Sequence, residues 1–102
     1  MKPHETYGAL GKPNYKLEEM QKIFKELEDI HIRKNNDYGD DNIRALGQKG
    51  VYVRIWDKVS RLKQLVWDEK GMMVEDETVD DTLHDLANYA IIMLILRRDK
   101  WK

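Results

Sequence analysis

The sequence predicts an all-α fold: a small antiparallel bundle of three main helices plus a short connecting helix, oligomerising into a larger bundle. Three observations lead there. Apolar residues recur at three-to-four spacing in three separate stretches. A run rich in Asn, Asp and Gly, "KNNDYGDDN", separates the first stretch from the second. No stretch competes strongly as a strand by alternating apolar and polar residues.

Residues 1–13 hold both prolines and two of the six glycines, and read as a flexible N-terminal arm. A single domain is expected over residues 14–102. Its first helix begins near Asn14, a side chain that can accept from the orphan amides of a helix start. Leu17, Met20, Ile23, Phe24, Leu27 and Ile30 form its apolar face, with Glu18, Lys25, Glu28 and Asp29 opposite. The "KNNDYGDDN" run stops it, and Gly39 can take a positive φ there at low cost. The connecting turn "IRALGQKG" ends between Gly47 and Gly50.

The second helix is predicted from about Val51 to Asp68, with Gly71 as its stop. Val51, Ile55, Val59, Leu62 and Val66 make an apolar stripe. Arg54, Asp57, Lys58 and Arg61 make a polar one. The third helix starts near Asp76 or Thr78 and runs to about Arg98. Acids in its first turn and Arg97 and Arg98 in its last complement the helix dipole.

Composition narrows the function. Eighteen Lys and Arg against 19 Asp and Glu leave a formal net charge of -1, so non-specific nucleic-acid binding is not expected. Cysteine is absent, which excludes disulfides and thiolate metal sites and suits a cytoplasmic protein. The N-terminal stretch lacks the apolar run of a secretion signal. The longest apolar run, Tyr89 to Leu96, is far short of the ~18 residues a membrane span needs. No membrane partner is expected.

The third helix poses the functional question. At about 100° per residue, Glu77, Asp81, His84, Asp85 and Asn88 share one band. Val79, Leu83, Leu86, Ala87, Ala90 and Leu94 lie on the other side, as the expected core face. The polar band then continues as Ile91, Ile92 and Ile95, which an exposed face should not do. This side is therefore expected to be covered too, placing the carboxylates at the end of a roofed groove. Carboxylates crowded on one band repel one another and call for a cation. A divalent metal or the Arg54/Lys58/Arg61 stripe could supply it. The plainer reading is a solvated acidic helix start.

Three blocks taken in order, "KNNDYGDDN", "VRIWDKVSRLKQL" and "VEDETVDDTLHDLANYA", resemble the nucleotide-modification-associated domain family, type one. Small members of that family occur largely in bacteriophages and their hosts. The resemblance covers about Ile30 to Ile95. The family in turn looks related to the MazG-like all-α nucleoside triphosphate pyrophosphohydrolases. Those enzymes carry paired acids on two helices. Here Thr82 precedes Asp85 by three residues, and Asp57 is the only acid on the second helix between Val51 and Trp67.

The resemblance implies a Mg²⁺- or Mn²⁺-dependent hydrolase that converts a nucleoside triphosphate, plain or modified, to monophosphate and pyrophosphate. Asp57, Asp81 and Asp85 would be catalytic, and Glu77, Asp81 and Asp85 would hold the metal. Lys34, Asp37, Tyr38, Arg54, Lys58, Arg61 and Asn88 would contact the nucleotide. The alternative is an oligomeric binder without chemistry that sequesters a nucleotide or a nucleotide-derived immune signal in an anti-defence role. A third reading is a helical interaction module whose polar stripes only set helix pairing. The expected assembly is a homodimer or tetramer packed through the third helix, with Trp56, Trp67 or Trp101 near the seam. The expected location is the cytoplasm of a bacterial host cell.

Overall fold

The computed structural model describes residues 13–70 and 78–102, except for the side chains of residues 37 and 38. The expected arm therefore lies almost wholly outside the described residues. Two helical elements make up the fold. Helix α1 (Tyr15–Leu62) continues into a π-helical turn (Lys63–Trp67), and α2 (Val79–Arg97) follows. No strand occurs among the described residues.

Helix α1 is interrupted twice. Gly39 (φ 74°, ψ 166°) and Gly47 (φ 65°, ψ -169°) leave helical geometry and divide it into a first limb (15–38), a link (40–46) and a second limb (48–62). With α2, these limbs give the three main helices and short connector expected from the sequence. The first helix outruns its predicted end: it persists through the Asn/Asp run and yields only at Gly39. Asn35 Nδ2 donates to Asp40 Oδ1 across that break at 2.8 Å.

Both glycines occupy backbone space that L side chains rarely adopt. No atom lies within 4 Å of a Cβ built at either position, so the penalty for a side chain there is conformational alone. Gly47→Ala is expected to lower unfolding free energy by about 1–3 kcal/mol in urea denaturation. A neutral result would mean that this bend is not required.

The caps are local and legible. Asn14 Oδ1 accepts from Leu17 N–H at 3.1 Å. At α2 the cap is Thr78, whose hydroxyl accepts from Asp81 N–H while Asp81 Oδ2 accepts from Thr78 N–H, a reciprocal capping box. The other end of α2 closes with Asp99 at φ 53°. Asp99 N–H bonds to the Leu96 carbonyl and Lys100 N–H to the Ile95 carbonyl, the Schellman pattern. That reversal turns Trp101 back onto the bundle. Its indole N–H reaches the Asp40 carbonyl at 3.0 Å, and its ring meets His31 edge-on at 5.6 Å.

Side-chain pairs fix the topology. Gln48–Arg97 and Lys58–Asp85 run the second limb antiparallel to α2. Glu26–His84 and Leu27–Asn88 lay the first limb alongside α2 in the same direction. The chain thus goes up, down and up. Its core is thin: Ile43, Val51 and Ile92 are buried together, flanked by Ile55, Tyr89, Met93, Leu96 and Trp101.

Two predicted faces need correction. On α2 the inward side carries Thr82, Asp85, Tyr89, Ile92 and Leu96, whereas Leu83 (46% exposed) and Leu94 (52%) face out. The acidic band therefore borders the core at Asp85, and of the strip expected to be core Leu83, Ala90 and Leu94 are exposed while Val79, Leu86 and Ala87 are half-buried. On the second limb, the stripe ends at Leu65, which is buried, and not at Val66, which is 56% exposed. The departure begins before the π-turn: Val59, expected on the stripe, is 44% exposed, while Lys58 beside it is half-buried and bonded to Asp85. The covered face is therefore Val51, Ile55, Lys58, Leu62 and Leu65 at ordinary helical spacing, and the π-turn, with Asp68 N–H bonded to the Lys63 carbonyl at 2.8 Å, closes the limb. The left-handed residue after this helix is Glu69 (φ 53°), and the expected stop at Gly71 lies outside the described residues.

Candidate functional site

One carboxylate joins all three helices. Asp85 of α2 receives Lys34 Nζ from the first limb at 2.5 Å and Lys58 Nζ from the second limb at 3.0 Å. The Asp85 side chain is 13% exposed, that of Lys58 20% and that of Lys34 45%. Burial pushes the Asp85 carboxyl upward. Hydrogen bonds and charge from Lys34 and Lys58 outweigh burial and hold it below the ordinary carboxylate range. Asp85 is therefore an anion at neutral pH, held between two ammonium groups.

Beside this cluster a groove of about 460 Å³ opens between the second limb and Tyr89 of α2. Arg54, Asp57, Lys58 and Arg61 line it, joined by Ser60 and Gln64. Spacings of four and three residues put Arg54, Lys58 and Arg61 on one side of the limb. Three cationic side chains around a polar groove can neutralise a polyanion, and the two guanidinium groups can each make two-point contacts with phosphate oxygens.

The expected site residues separate into groups. Lys34, Lys58 and Asp85 come together, and Arg54, Asp57 and Arg61 share the groove. Asn88 lies elsewhere: its amide donates to the Leu27 carbonyl at 3.1 Å, and its side chain lines the cleft toward the first limb. Asp81 is exposed and engaged in the α2 cap. The Thr78 backbone N–H first, and then the Thr78 hydroxyl, hold its carboxyl below the ordinary range. Glu77 and the side chains of Asp37 and Tyr38 lie outside the described residues. His84 pairs with Glu26 at 3.1 Å.

Three groove residues, Ser60, Gln64 and Tyr89, stood outside the set expected to bind nucleotide. Ser60 and Gln64 follow Asp57 and Arg61 at helical spacing, so the second limb's own wheel could have supplied them. Tyr89 enters only through tertiary packing.

The pyrophosphohydrolase resemblance implies a divalent ion. Among the described residues no three Asp, Glu or His side chains converge as a cation site. As arranged, Asp85 holds two cations of the chain itself, and Asp81 holds a helix amide. Both carboxylates are thus engaged within the chain in this arrangement, and Glu77, the third expected ligand, lies outside the described residues.

Among the described residues no helix is long and apolar enough to cross a membrane. Comparisons with curated proteins and with solved structures find no match. The family model described as nucleotide modification associated domain 1 matches residues 34–96. That span takes in the link, the second limb, the groove, the Lys34–Asp85–Lys58 cluster and nearly all of α2. By this match over more than half its length, the chain belongs to the nucleotide modification associated domain 1 family.

Proposed function

We propose that the chain is a nucleotide-binding protein that takes the phosphates of its ligand into the groove between the second limb and Tyr89. The observation that carries this reading is the gathering of Arg54, Lys58 and Arg61 around one polar groove, in a chain whose net charge is only -1. A local cationic groove on a near-neutral chain suits a small anion better than a long nucleic acid. Tyr89 offers an aromatic face against which a base or sugar can lie. Membership of a nucleotide-associated family points to the same ligand class. Binding of this kind calls for no metal. Sequestration of a nucleotide, including a nucleotide-derived immune signal, is the form of it that needs no chemistry.

Calorimetric titration with nucleoside mono-, di- and triphosphates in the presence of a chelator tests this. Affinity should rise with phosphate number and fall with salt. Arg61→Ala should weaken binding about 10- to 100-fold, as loss of a charge-assisted hydrogen bond predicts. No binding of any nucleotide at millimolar concentration would overturn the reading.

One observation favours a hydrolytic version: Asp57 stands in the same groove as the cations. That version would cleave a nucleoside triphosphate to monophosphate and pyrophosphate with Mg²⁺ or Mn²⁺. Pyrophosphate release that is lost in Asp57→Asn would support it. Ligand recovered intact after denaturation, with either metal present, would support sequestration instead.

A further inference from the structure

The outward face of α2 carries a pattern that is the same read in either direction. Leu83, Ala87, Ala90 and Leu94 lie along one side of the helix, opposite Asp85 and Tyr89; the first limb borders that side across an open cleft at Leu83 and Ala87, and Leu83, Ala90 and Leu94 stay exposed. The two leucines are about half exposed, at 46% and 52%, and Ala90 is exposed. Their order along the chain is symmetric: leucine, four residues to alanine, three to alanine, four to leucine. Reversing the helix direction reproduces the same pattern. The small residues sit at the centre, where two helix backbones can approach closely, and the large ones at the ends.

Charge follows the same symmetry. Asp80 is exposed just before Leu83, and Arg98 is exposed just after Leu94. Two α2 helices packed antiparallel about a point between Ala87 and Ala90 set each Asp80 near the partner's Arg98. Parallel packing would instead bring like charges together.

We propose that the chain forms a two-fold symmetric dimer through this face, with α2 antiparallel to the α2 of a second copy, Leu83 against the partner's Leu94 and Asp80 against the partner's Arg98. The interface is isologous, so each patch is used twice and the assembly closes. The two cationic grooves lie on the far sides of the paired helices and stay open. Dimerisation is therefore independent of nucleotide binding, and either can fail without the other.

Sedimentation equilibrium of the unmodified chain at micromolar concentration is expected to give twice the 12.2 kDa chain mass. Because the chain has no cysteine, Leu83→Cys and Leu94→Cys each introduce a single thiol. Mixed and oxidised, the two variants should crosslink to each other in excess over either with itself. Antiparallel packing brings the unlike positions together and leaves like positions about 16 Å apart along the axis. Asp80→Arg alone should loosen the dimer several-fold, and adding Arg98→Asp should restore it. A monomer by sedimentation, crosslinks mainly between like positions, or no rescue by the charge exchange would each overturn this arrangement.

Discussion

Replacing Asp85 with alanine is expected to destabilise the chain by about 2–3 kcal/mol at neutral pH. Removing one partner from a fully buried ion pair costs about 3–5 kcal/mol, because the remaining charge is left uncompensated. Here the Asp85 and Lys58 side chains are mostly buried, but Lys34 is 45% exposed and can turn to water, which reduces the loss. The single anion also ties three helices, so its removal loosens both limbs from α2. Lys58→Met should come close to the same effect, since it strips the better-buried cation from a buried carboxylate. Lys34→Met should cost less. Acid distinguishes this account from lost packing. The folded-state pKa of Asp85 is depressed, so its contribution is present above the unfolded-state value of about 3.9. It disappears as pH falls through the folded-state value. Urea unfolding of wild type and Asp85→Ala should therefore give curves that differ widely at pH 7 and converge at strongly acid pH. A gap unchanged with pH would show that the charge is not what matters.

That cluster also marks where sequence reading reached and where it stopped. Asn14 and Thr78 as caps and Gly39 as a break are local features, set by side-chain chemistry within three or four residues, and they were legible. The choice of face on α2 was not. By polarity alone Leu83, Ala90 and Leu94 outrank Thr82 and Asp85 as core. Asp85 can lie inward only because Lys34, 51 residues away, and Lys58 meet it there. Thr82 can be fully buried because its hydroxyl donates to the Thr78 carbonyl at 2.9 Å and so needs no water. A helical wheel holds neither fact. On the second limb the same ion pair turns Lys58 inward and leaves Val59 exposed, so the covered face ends at Leu65 and not at Val66.

The candidate site divides along the same line. Arg54, Asp57, Lys58 and Arg61 share one helix, so their common groove followed from spacing. Asp81 looked equivalent to Asp85 from its place on the same band. It differs because it is the third residue of the helix, where an orphan amide competes for its carboxylate. Asn88 was grouped with the acids for the same reason, yet the Leu27 carbonyl on another helix claims its amide.

The thinness of the core yields the other large effect. Ile92→Ala is expected to cost about 2–5 kcal/mol, the range for truncating a buried isoleucine. Ile92 is 3% exposed and packs with Ile43 of the link and Val51 of the second limb. These three residues connect every helical segment except the first limb, which reaches the cluster through Trp101 and its contact with His31. The chain has few other fully buried apolar side chains, Leu27 and Leu65 among those described, so neighbours offer little material to refill the space. Small domains are stable by only about 5–15 kcal/mol, and each kcal/mol lost lowers Tm by about 4–8 °C at this size. A fall of at least about 8 °C is expected in a thermal scan. Ile32→Ala supplies the control, because Ile32 is 54% exposed and the same atoms are removed. Its effect should stay within about 0.5 kcal/mol. Equal losses at the two positions would mean that Ile32 is covered in solution, and that this side of the first limb, like the outer side of α2, belongs to an interface.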